Sequence, residues 1–324
     1  MLSRIADSLY WMSRYLERAG NTARLLEINL LYLLEAEDAL SPSAQWKPLL
    51  SITASEEAYA RCYDDAPIGA HKVVQFMTQE RSNPNAIRTS LRLARENARV
   101  VRDRISKEMW EAMNELWLQV DRQLASPLLP ERAASLYAAV RNGVARFHGL
   151  TTNTMMRGEG WGFYRLGTFL ERADMTARIL DVKYHLLLPD VSMVGSALDY
   201  YQWAALLKSL SGFEAYRRQY HAGLRPIEIA GFLIFEPDFP RSLRFSVDRI
   251  GAALRTIGDG DANRTAAQAF QRIQELLAEG SAERVFDQGL HEFLEEFLDR
   301  IFQLHAVLAA DYFDAQLTDR QCAT

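Results

Sequence analysis

Apolar residues recur at three- and four-residue steps along most of the chain, beginning with a long stripe near its start. The members of this stripe are Leu9, Met12, Leu16, Ala19, Ala23, Leu26, Leu30 and Leu33. The spacing places them on one face of an α-helix and predicts a helix over residues 3–39. Ser41-Pro42-Ser43 follows and predicts the end of this helix, because proline lacks the N–H group that would continue it.

The same spacing predicts further helices throughout the chain. They are predicted over residues 46–53, 55–63, 69–79, 108–124, 131–150, 197–210, 213–221, 225–235, 241–257, 262–279 and 287–315. Another begins at Asn83-Pro84-Asn85, because proline suits the first helical position, and a second long helix ends near Pro189. Alternating polar and apolar positions, which are typical of half-buried strands, are essentially absent from the sequence. The predicted fold class is all-α, a helical bundle.

A twelve-residue stretch occurs twice in the chain. Residues 15–26 read YLERAGNTARLL and residues 169–180 read FLERADMTARIL, so eight of twelve positions are identical at an offset of 154. Weaker matches at nearly the same offset pair Gln45-Trp46 with Gln202-Trp203, Tyr59 with Tyr216, Phe76 with Phe232, Arg88 with Arg244, and Phe147-His148 with Leu304-His305. The pattern predicts two tandem pseudo-symmetric repeats of about 155 residues, 1–156 and 157–324, packed as one globular unit.

The repeated stretch carries charged residues next to an apolar helix face. They are Glu17, Arg18 and Arg24 in the first copy, and Glu171, Arg172 and Arg178 in the second. Small and apolar neighbours at helical spacing place these side chains at the rim of a close helix contact. One interpretation is an arginine–glutamate network that fixes the register of the two long helices. The alternatives are a polar cavity in which the four arginines bind an anionic ligand, or a surface for a partner protein.

Arg88 and Arg244 form a further matched pair of charged residues. Both lie in the first turn and a half of their predicted helices. A basic side chain gains nothing from the helix dipole there. The two arginines are therefore additional candidates for binding a specific partner group.

Composition and charge narrow the range of functions. The chain has 48% hydrophobic and 24% charged residues, a net charge of -5 and a pI near 5.8, which indicates an ordinary globular protein without a nucleic-acid partner. No stretch reaches the roughly 18 apolar residues of a membrane span, and charged residues interrupt the first apolar run, which argues against a signal peptide. Cys62 and Cys322 lie outside any metal-type spacing. These features predict a cytoplasmic protein.

Familiar catalytic and cofactor patterns are missing from the sequence. No histidine follows a glutamate at the Glu-x-x-His spacing of di-iron bundles. There is no Walker loop, nucleophile elbow or His-Glu-x-x-His pattern. The glycine-rich residues 157–162 follow a predicted helix rather than a strand, which argues against dinucleotide binding. We therefore predict no cofactor and no metal, and the catalytic residues, if any, stay unassigned.

Three segments resemble the bacterial alpha-E family, helical proteins with a recurring Glu-Arg pair. They are SLYWMSRYLERAGNTARLL, NPNAIRTSLRLARENARVVRDRI and GWGFYRLGTFLERADMTARILDVKYHLLLP, and the resemblance covers essentially the full chain. It places the family's pairs at Glu17-Arg18 and Glu171-Arg172. Members of the family occur beside, or fused to, circularly permuted ATP-grasp ligases, often near transglutaminase-like proteases and a proteasome-like peptidase. The resemblance implies an ATP-grasp-type ligase as partner, with the protease or peptidase as further partners.

Three functions stay open on this basis. The first is a helical accessory or scaffold subunit, not catalytic on its own, that acts with an ATP-grasp-type amide ligase in peptide synthesis or processing. The second is an enzyme whose Glu/Arg-lined cavity ligates or hydrolyses amide bonds with glutamate as base. The third is a purely structural oligomerisation module, and the sequence is compatible with a homo-oligomer. An open arginine-lined cavity would favour ligand binding or catalysis, whereas a closed, fully paired network would favour a structural role.

Overall fold

The computed structural model describes residues 1–35, 41–64, 67–186, 196–258, 261–278 and 280–313, and within these ranges it is helical without strands. The all-α prediction is therefore confirmed. The helices are α1 (Ser3–Glu35), α2 (Pro42–Ile52), α3 (Glu56–Tyr63), α4 (Ala70–Gln79), α5 (Ile87–Val100), α6 (Lys107–Gln123), α7 (Pro130–Thr154), α8 (Glu159–Leu186), α9 (Ala197–Ser209), α10 (Phe213–Gln219), α11 (Pro226–Phe235), α12 (Leu243–Ile257), α13 (Asp261–Ala278), α14 (Ala282–Gln288) and α15 (Leu290–Tyr312). The predicted end near Pro189 and the predicted helical positions 36–39 lie outside the described residues.

The two long helices that carry the repeated stretch, α1 and α8, lie side by side. Contacts along them pair Leu9 with Gly160, Ser13 with Gly167, and Glu17 with Arg172. Because the residue numbers rise together along the contact, α1 and α8 run in the same direction. Alanines at the motif positions Ala19, Ala23, Ala173 and Ala177 are fully buried. Such small residues allow neighbouring helices to approach closely.

Several of the other helices pack against α1 and α8. Helices α5 and α7 pack against α1, while α12 and α15 pack against α8. Helix α2, which follows α1 in the chain, also contacts α8, and α9, which follows α8, contacts α1. Each of the two motif helices is thus covered by helices from both the first and the second half of the chain. This packing places charged motif residues inside the protein.

The apolar helix faces meet in one connected core. Its largest fully buried side chains include Trp46, Tyr10, Tyr15, Tyr137, Phe76, Phe147, Phe232 and Phe297. Burying such a side chain contributes about 1.5–3 kcal/mol to the free energy of folding, so the matched aromatic pairs of the sequence serve mainly as core residues. Among the described helices, none combines the length and the apolar character needed to cross a membrane.

The predicted helix over 287–315 is wrong at its beginning. Helix α14 ends at Gln288, α15 begins at Leu290, and Gly289 between them has a φ of 107°. Glycine adopts this left-handed backbone readily because it has no Cβ. The apolar period continues across Gly289, so periodicity alone did not reveal the change of direction. Residues 314 and 315 lie outside the described ranges.

Candidate functional site

Glu171 on α8 is enclosed by two arginines from α1. Arg14 donates from Nε to Oε2 of Glu171 at 2.7 Å, and Arg18 donates from Nε to Oε1 at 2.6 Å and from Nη2 to Oε2 at 3.1 Å. The Glu171 side chain is only 2% exposed. Arg18 also donates from Nη1 to the Asn85 side-chain oxygen at 3.1 Å. We call Glu171, Arg14 and Arg18 the Glu171 cluster.

Glu17 on α1 is enclosed in a similar way by residues that come later in the chain. Arg172 of α8 donates from Nε and Nη2 to the two oxygens of Glu17, both at 3.0 Å. His148 of α7 lies 3.1 Å from Oε2, and Arg241 lies 3.4 Å from Oε1. Glu17 is also 2% exposed. These four residues, Glu17, His148, Arg172 and Arg241, form the Glu17 cluster.

The Glu-Arg pairs of the two motif copies are therefore crossed. The arginine of each copy forms a two-point, charge-assisted pair with the glutamate of the other copy, a geometry that lysine cannot reproduce. Neighbours in sequence, such as Glu17 and Arg18, do not bond to each other in these pairs because adjacent helical residues point in different directions. The crossed pairs join α1 to α8 in the interior.

Both motif glutamates are held in the ionised form. Burial acts to raise the pKa of Glu17, but Arg172, His148 and Arg241 outweigh it and hold that pKa well below its usual value. Burial opposes ionisation of Glu171 as well, yet Arg18 and Arg14 lower its pKa to about 2. A general base acts best when its pKa lies near the working pH. The geometry and the charges therefore make both carboxylates poor proton acceptors.

Each cluster adjoins a tyrosine–histidine contact. The Tyr164 hydroxyl lies 2.5 Å from Nδ1 of His148, and the Tyr10 hydroxyl lies 2.8 Å from Nδ1 of His305. Because an ionised carboxylate only accepts hydrogen bonds, His148 donates from Nε2 to Glu17. His148 thus links the Glu17 carboxylate to a residue one turn and a half before the second motif.

The two clusters differ in their third charged residue. Arg14 completes the Glu171 cluster, and its position in the other copy, 154 residues later, is Thr168. Arg241 completes the Glu17 cluster, and its counterpart, 156 residues earlier, is Asn85. Burial and the nearby Arg172 and Arg24 lower the pKa of Arg241 to about 10, against the attraction of Glu17. Any function of the clusters therefore need not be symmetric.

The other sequence candidates lie outside the crossed pairs. Arg178 pairs with Asp174 at 3.1 Å. Arg24 faces Arg141 and is partly buried, and burial followed by this like charge lowers its pKa. Arg88 pairs with Asp121 at 2.6 Å, and Arg244 lies 3.6 Å from Asp248 at the surface. The last two contacts are ordinary ion pairs, so the geometry gives Arg88 and Arg244 no shared site.

An open cleft adjoins the Glu171 cluster. It has a volume of about 360 Å³ and lies between α1, α8, α15 and the turns that follow α2 and precede α5. Its polar lining includes Arg14, Arg18, Arg178, Asp174 and Glu171. The cleft is thus the place where the Glu171 cluster borders on solvent. We call it the Glu171 cleft.

Several residues of the clusters were not singled out from the sequence. Arg14, Arg241, Tyr10 and Tyr164 belong to this group, while His148 entered only as part of a matched pair. The offset of 154 between Tyr10 and Tyr164 was an available signal, since it equals that of the motif. Arg14 and Arg241 carry no such signal because their counterparts are of different types.

Among the described residues, no three His, Cys, Asp or Glu side chains are grouped so that they could hold a metal ion.

The half-buried histidine beside the Glu171 cluster, His305, predicts a pH dependence of stability. Burial and the nearby Arg14 lower the pKa of His305 from 6.5 to about 3. Below pH 6.5 the unfolded chain then binds a proton that the folded chain does not, so stability falls as the pH falls towards 3. We expect the free energy of unfolding to drop by about 1–2 kcal/mol between pH 7 and 5 from this residue.

Urea unfolding followed by circular dichroism at both pH values checks this. The variant His305→Gln should lose that part of the pH dependence, whereas His221→Gln, at an exposed position, should keep it. An unchanged pH dependence in His305→Gln would contradict the assignment.

Comparisons with known proteins identify the relatives of the chain. Uncharacterized proteins of Mycobacterium bovis (strain ATCC BAA-935 / AF2122/97) and Mycobacterium tuberculosis (strains CDC 1551 / Oshkosh and ATCC 25618 / H37Rv) are each 21% identical over 321 residues. The match covers 94% of this chain and 35% of each relative, so the chain spans about a third of their length. No solved structure matches the chain.

A family model described as a predicted alpha-helical domain with a conserved ER motif matches residues 1–313. The match includes both Glu-Arg pairs, at Glu17-Arg18 and Glu171-Arg172, whose crossed geometry is given above. The chain therefore belongs to the Alpha-E family.

Proposed function

We propose that this chain is a non-catalytic helical subunit that binds an ATP-grasp-type amide ligase and serves it in peptide synthesis or processing. The ligase as partner follows from the family resemblance. The non-catalytic role rests on the residues themselves. The observation that carries it is the closure of both motif glutamates in buried, two-point arginine pairs.

An enzyme that ligates or hydrolyses amides would need a base that can take up a proton. Glu17 and Glu171 are each 2% exposed and are held ionised by two arginines. A carboxylate in this state accepts hydrogen bonds from its partners and has little basicity left for a substrate. The same pairs are well suited to a structural task, because breaking a buried pair leaves an uncompensated charge.

We also propose that the chain is a tandem duplication in which the motif glutamate of each half pairs with the motif arginine of the other half. The crossing of Glu17 with Arg172 and of Glu171 with Arg18 supports this, as does the matching order of helices around α1 and α8. A unit closed in this way would present a rigid helical surface to a partner. In the mycobacterial relatives the matched region is about a third of the protein, which fits a helical unit working beside other parts.

Co-purification with an ATP-grasp-type ligase, followed by an ATP-turnover assay, tests this function. We expect a stable complex, and ATP turnover by the ligase that changes when this chain is added. The chain alone should not turn over a candidate peptide.

Failure to form a complex, together with unaltered ATP turnover by the ligase, would contradict the proposal. Peptide turnover by the chain alone, lost in Glu17→Gln, would instead support the enzyme. Capture of a transglutaminase-like protease or a proteasome-like peptidase in place of the ligase would redirect the proposal to that partner.

A further inference from the structure

We propose that the Glu171 cleft binds a small molecule with one carboxylate and an apolar side group, of about the size of an amino acid or a peptide end. The proposal deepens the binding role proposed above by naming a ligand class. It rests on unpaired polar groups, on the charge of the lining and on the apolar wall, each argued below.

Two lining residues keep buried polar atoms without a partner. The Trp11 indole nitrogen and the Thr22 hydroxyl form no hydrogen bond within the described part of the chain, although Trp11 is 4% and Thr22 is 1% exposed. Leaving a buried donor or acceptor unsatisfied costs about 1–3 kcal/mol. Such a group calls for a partner from outside the described chain, such as an ordered water or a ligand. Both residues line the cleft.

The corresponding threonine of the other motif copy does have a partner. Thr176, which matches Thr22 in the repeated stretch, donates to the Arg241 carbonyl oxygen at 2.9 Å. Arg165 stands at the position that matches Trp11, so the indole N–H is also specific to one side. The unsatisfied groups therefore do not follow from the motif, and they coincide with the open cleft.

The charge of the lining matches a monoanion. Arg14, Arg18 and Arg178 face Glu171 and Asp174, which leaves one positive charge among the described lining residues. His305 also lines the cleft and stays neutral near pH 7, because burial and Arg14 lower its pKa to about 3. One carboxylate would balance this charge, whereas a phosphate dianion would exceed it.

Arg178 is the best placed arginine for a ligand. Its side chain is 36% exposed, and within the described part of the chain it pairs with Asp174, one helical turn earlier on the same helix. Arg14 and Arg18 are 11% and 18% exposed and remain bound to Glu171. An incoming carboxylate can therefore meet the Arg178 guanidinium without opening the crossed pair.

The rest of the wall is apolar and shaped for a side group. Ile52, Pro84 and Met175 line the interior, and Phe302 of α15 is 70% exposed beside the cleft. A volume of about 360 Å³ lies at the lower end of the range for small-molecule sites. The combination of arginine, single hydrogen-bond donors and apolar wall is that expected for the carboxyl end of an apolar amino acid or peptide.

Isothermal titration calorimetry of the full chain with N-acetyl-L-leucine and with N-acetyl-L-leucine amide tests the proposal. We expect the free acid to bind and the amide to bind about tenfold more weakly or not at all, since the amide lacks the charge that Arg178 meets. Arg178→Gln should weaken binding of the acid about tenfold. Thr22→Val keeps the size of the side chain and removes the hydroxyl, and Trp11→Phe removes the indole N–H while keeping an aromatic ring; each should weaken binding about threefold or more.

Arg99→Gln is the matched control, because Arg99 is 65% exposed, pairs with a neighbour on its own helix and lies away from the cleft. It should bind the acid as the unmodified chain does, and circular dichroism should show every variant folded. Equal binding of acid and amide, tighter binding of inorganic phosphate, or no binding of the acid up to about 10 mM would overturn the proposal. Loss of ligand binding with an intact ligase complex would refute the cleft alone, and the reverse result would refute only the ligase partnership.

Discussion

The variant Glu171→Gln should lower the free energy of unfolding at pH 7 by about 3–5 kcal/mol. The substitution removes a buried negative charge and leaves Arg14 and Arg18, which are 11% and 18% exposed, without their shared partner. The expected loss is large because a charge held out of water costs far more when its partner is missing. Urea unfolding followed by circular dichroism measures it.

A surface pair provides the control for this prediction. Glu57 is 91% exposed and pairs with Arg61 at 3.5 Å, so Glu57→Gln should change stability by less than about 1 kcal/mol. Adding Arg18→Gln to Glu171→Gln should show non-additivity of about 1–3 kcal/mol, as expected of residues in direct contact. Similar effects of Glu171→Gln and Glu57→Gln would mean that the crossed pair does not join α1 to α8 as described.

The variant Gly167→Ala should destabilise the protein by about 2–4 kcal/mol, mainly by forcing α1 and α8 apart. A Cβ at position 167 would overlap the Ser13 Oγ and the Tyr10 carbonyl oxygen, and the latter is backbone that cannot move aside. The overlap lies about one helical turn before the Glu171 cluster on α8. We therefore also expect the unfolding transition of this variant to broaden or its midpoint to fall sharply.

Gly149→Ala is the matched control, since it makes the same change within helix α7. No atom lies within 4 Å of a Cβ built at Gly149. Because alanine favours the helix by about 1 kcal/mol over glycine, this variant should be slightly more stable than the unmodified chain. Opposite signs for the two substitutions in urea unfolding are the expected result, and a stable Gly167→Ala protein would contradict the close approach of α1 and α8.

The helices themselves were largely predictable from the sequence. The apolar period depends on which face of a segment is buried, and this is a local property repeated every three to four residues. The stripe from Leu9 to Leu30 in α1 illustrates it, since the period and the helix agree over about six turns. Two predictions were wrong. The helix predicted to begin at Pro84 begins at Ile87, with Ala86 as its N-cap, and the helix predicted across Gly289 is interrupted there because a single backbone angle redirects the chain without interrupting the apolar period.

The sequence predicted most of the charged residues that form the two clusters, but it predicted much less about which side chains they pair with. The repetition pointed to Glu17, Arg18, Glu171 and Arg172, and all four lie in the two clusters. Arg14 and Arg241 complete the clusters and do not recur, so repetition could not single them out. The cleft beside Glu171 depends on surfaces from α1, α8 and α15 together. No single segment carries a signal for such a surface.

Local patterns in the chain thus account for the all-α class, for the long helices α1 and α8 and for the twin Glu-Arg motifs. Helical period and motif spacing are properties of one segment at a time, so the sequence alone carries them. The crossing of Glu17 with Arg172, the burial of both carboxylates and the opening of the cleft on one side depend on how two helices 154 residues apart lie together. These features arise from contacts between distant segments, so they emerged only once the chain was folded.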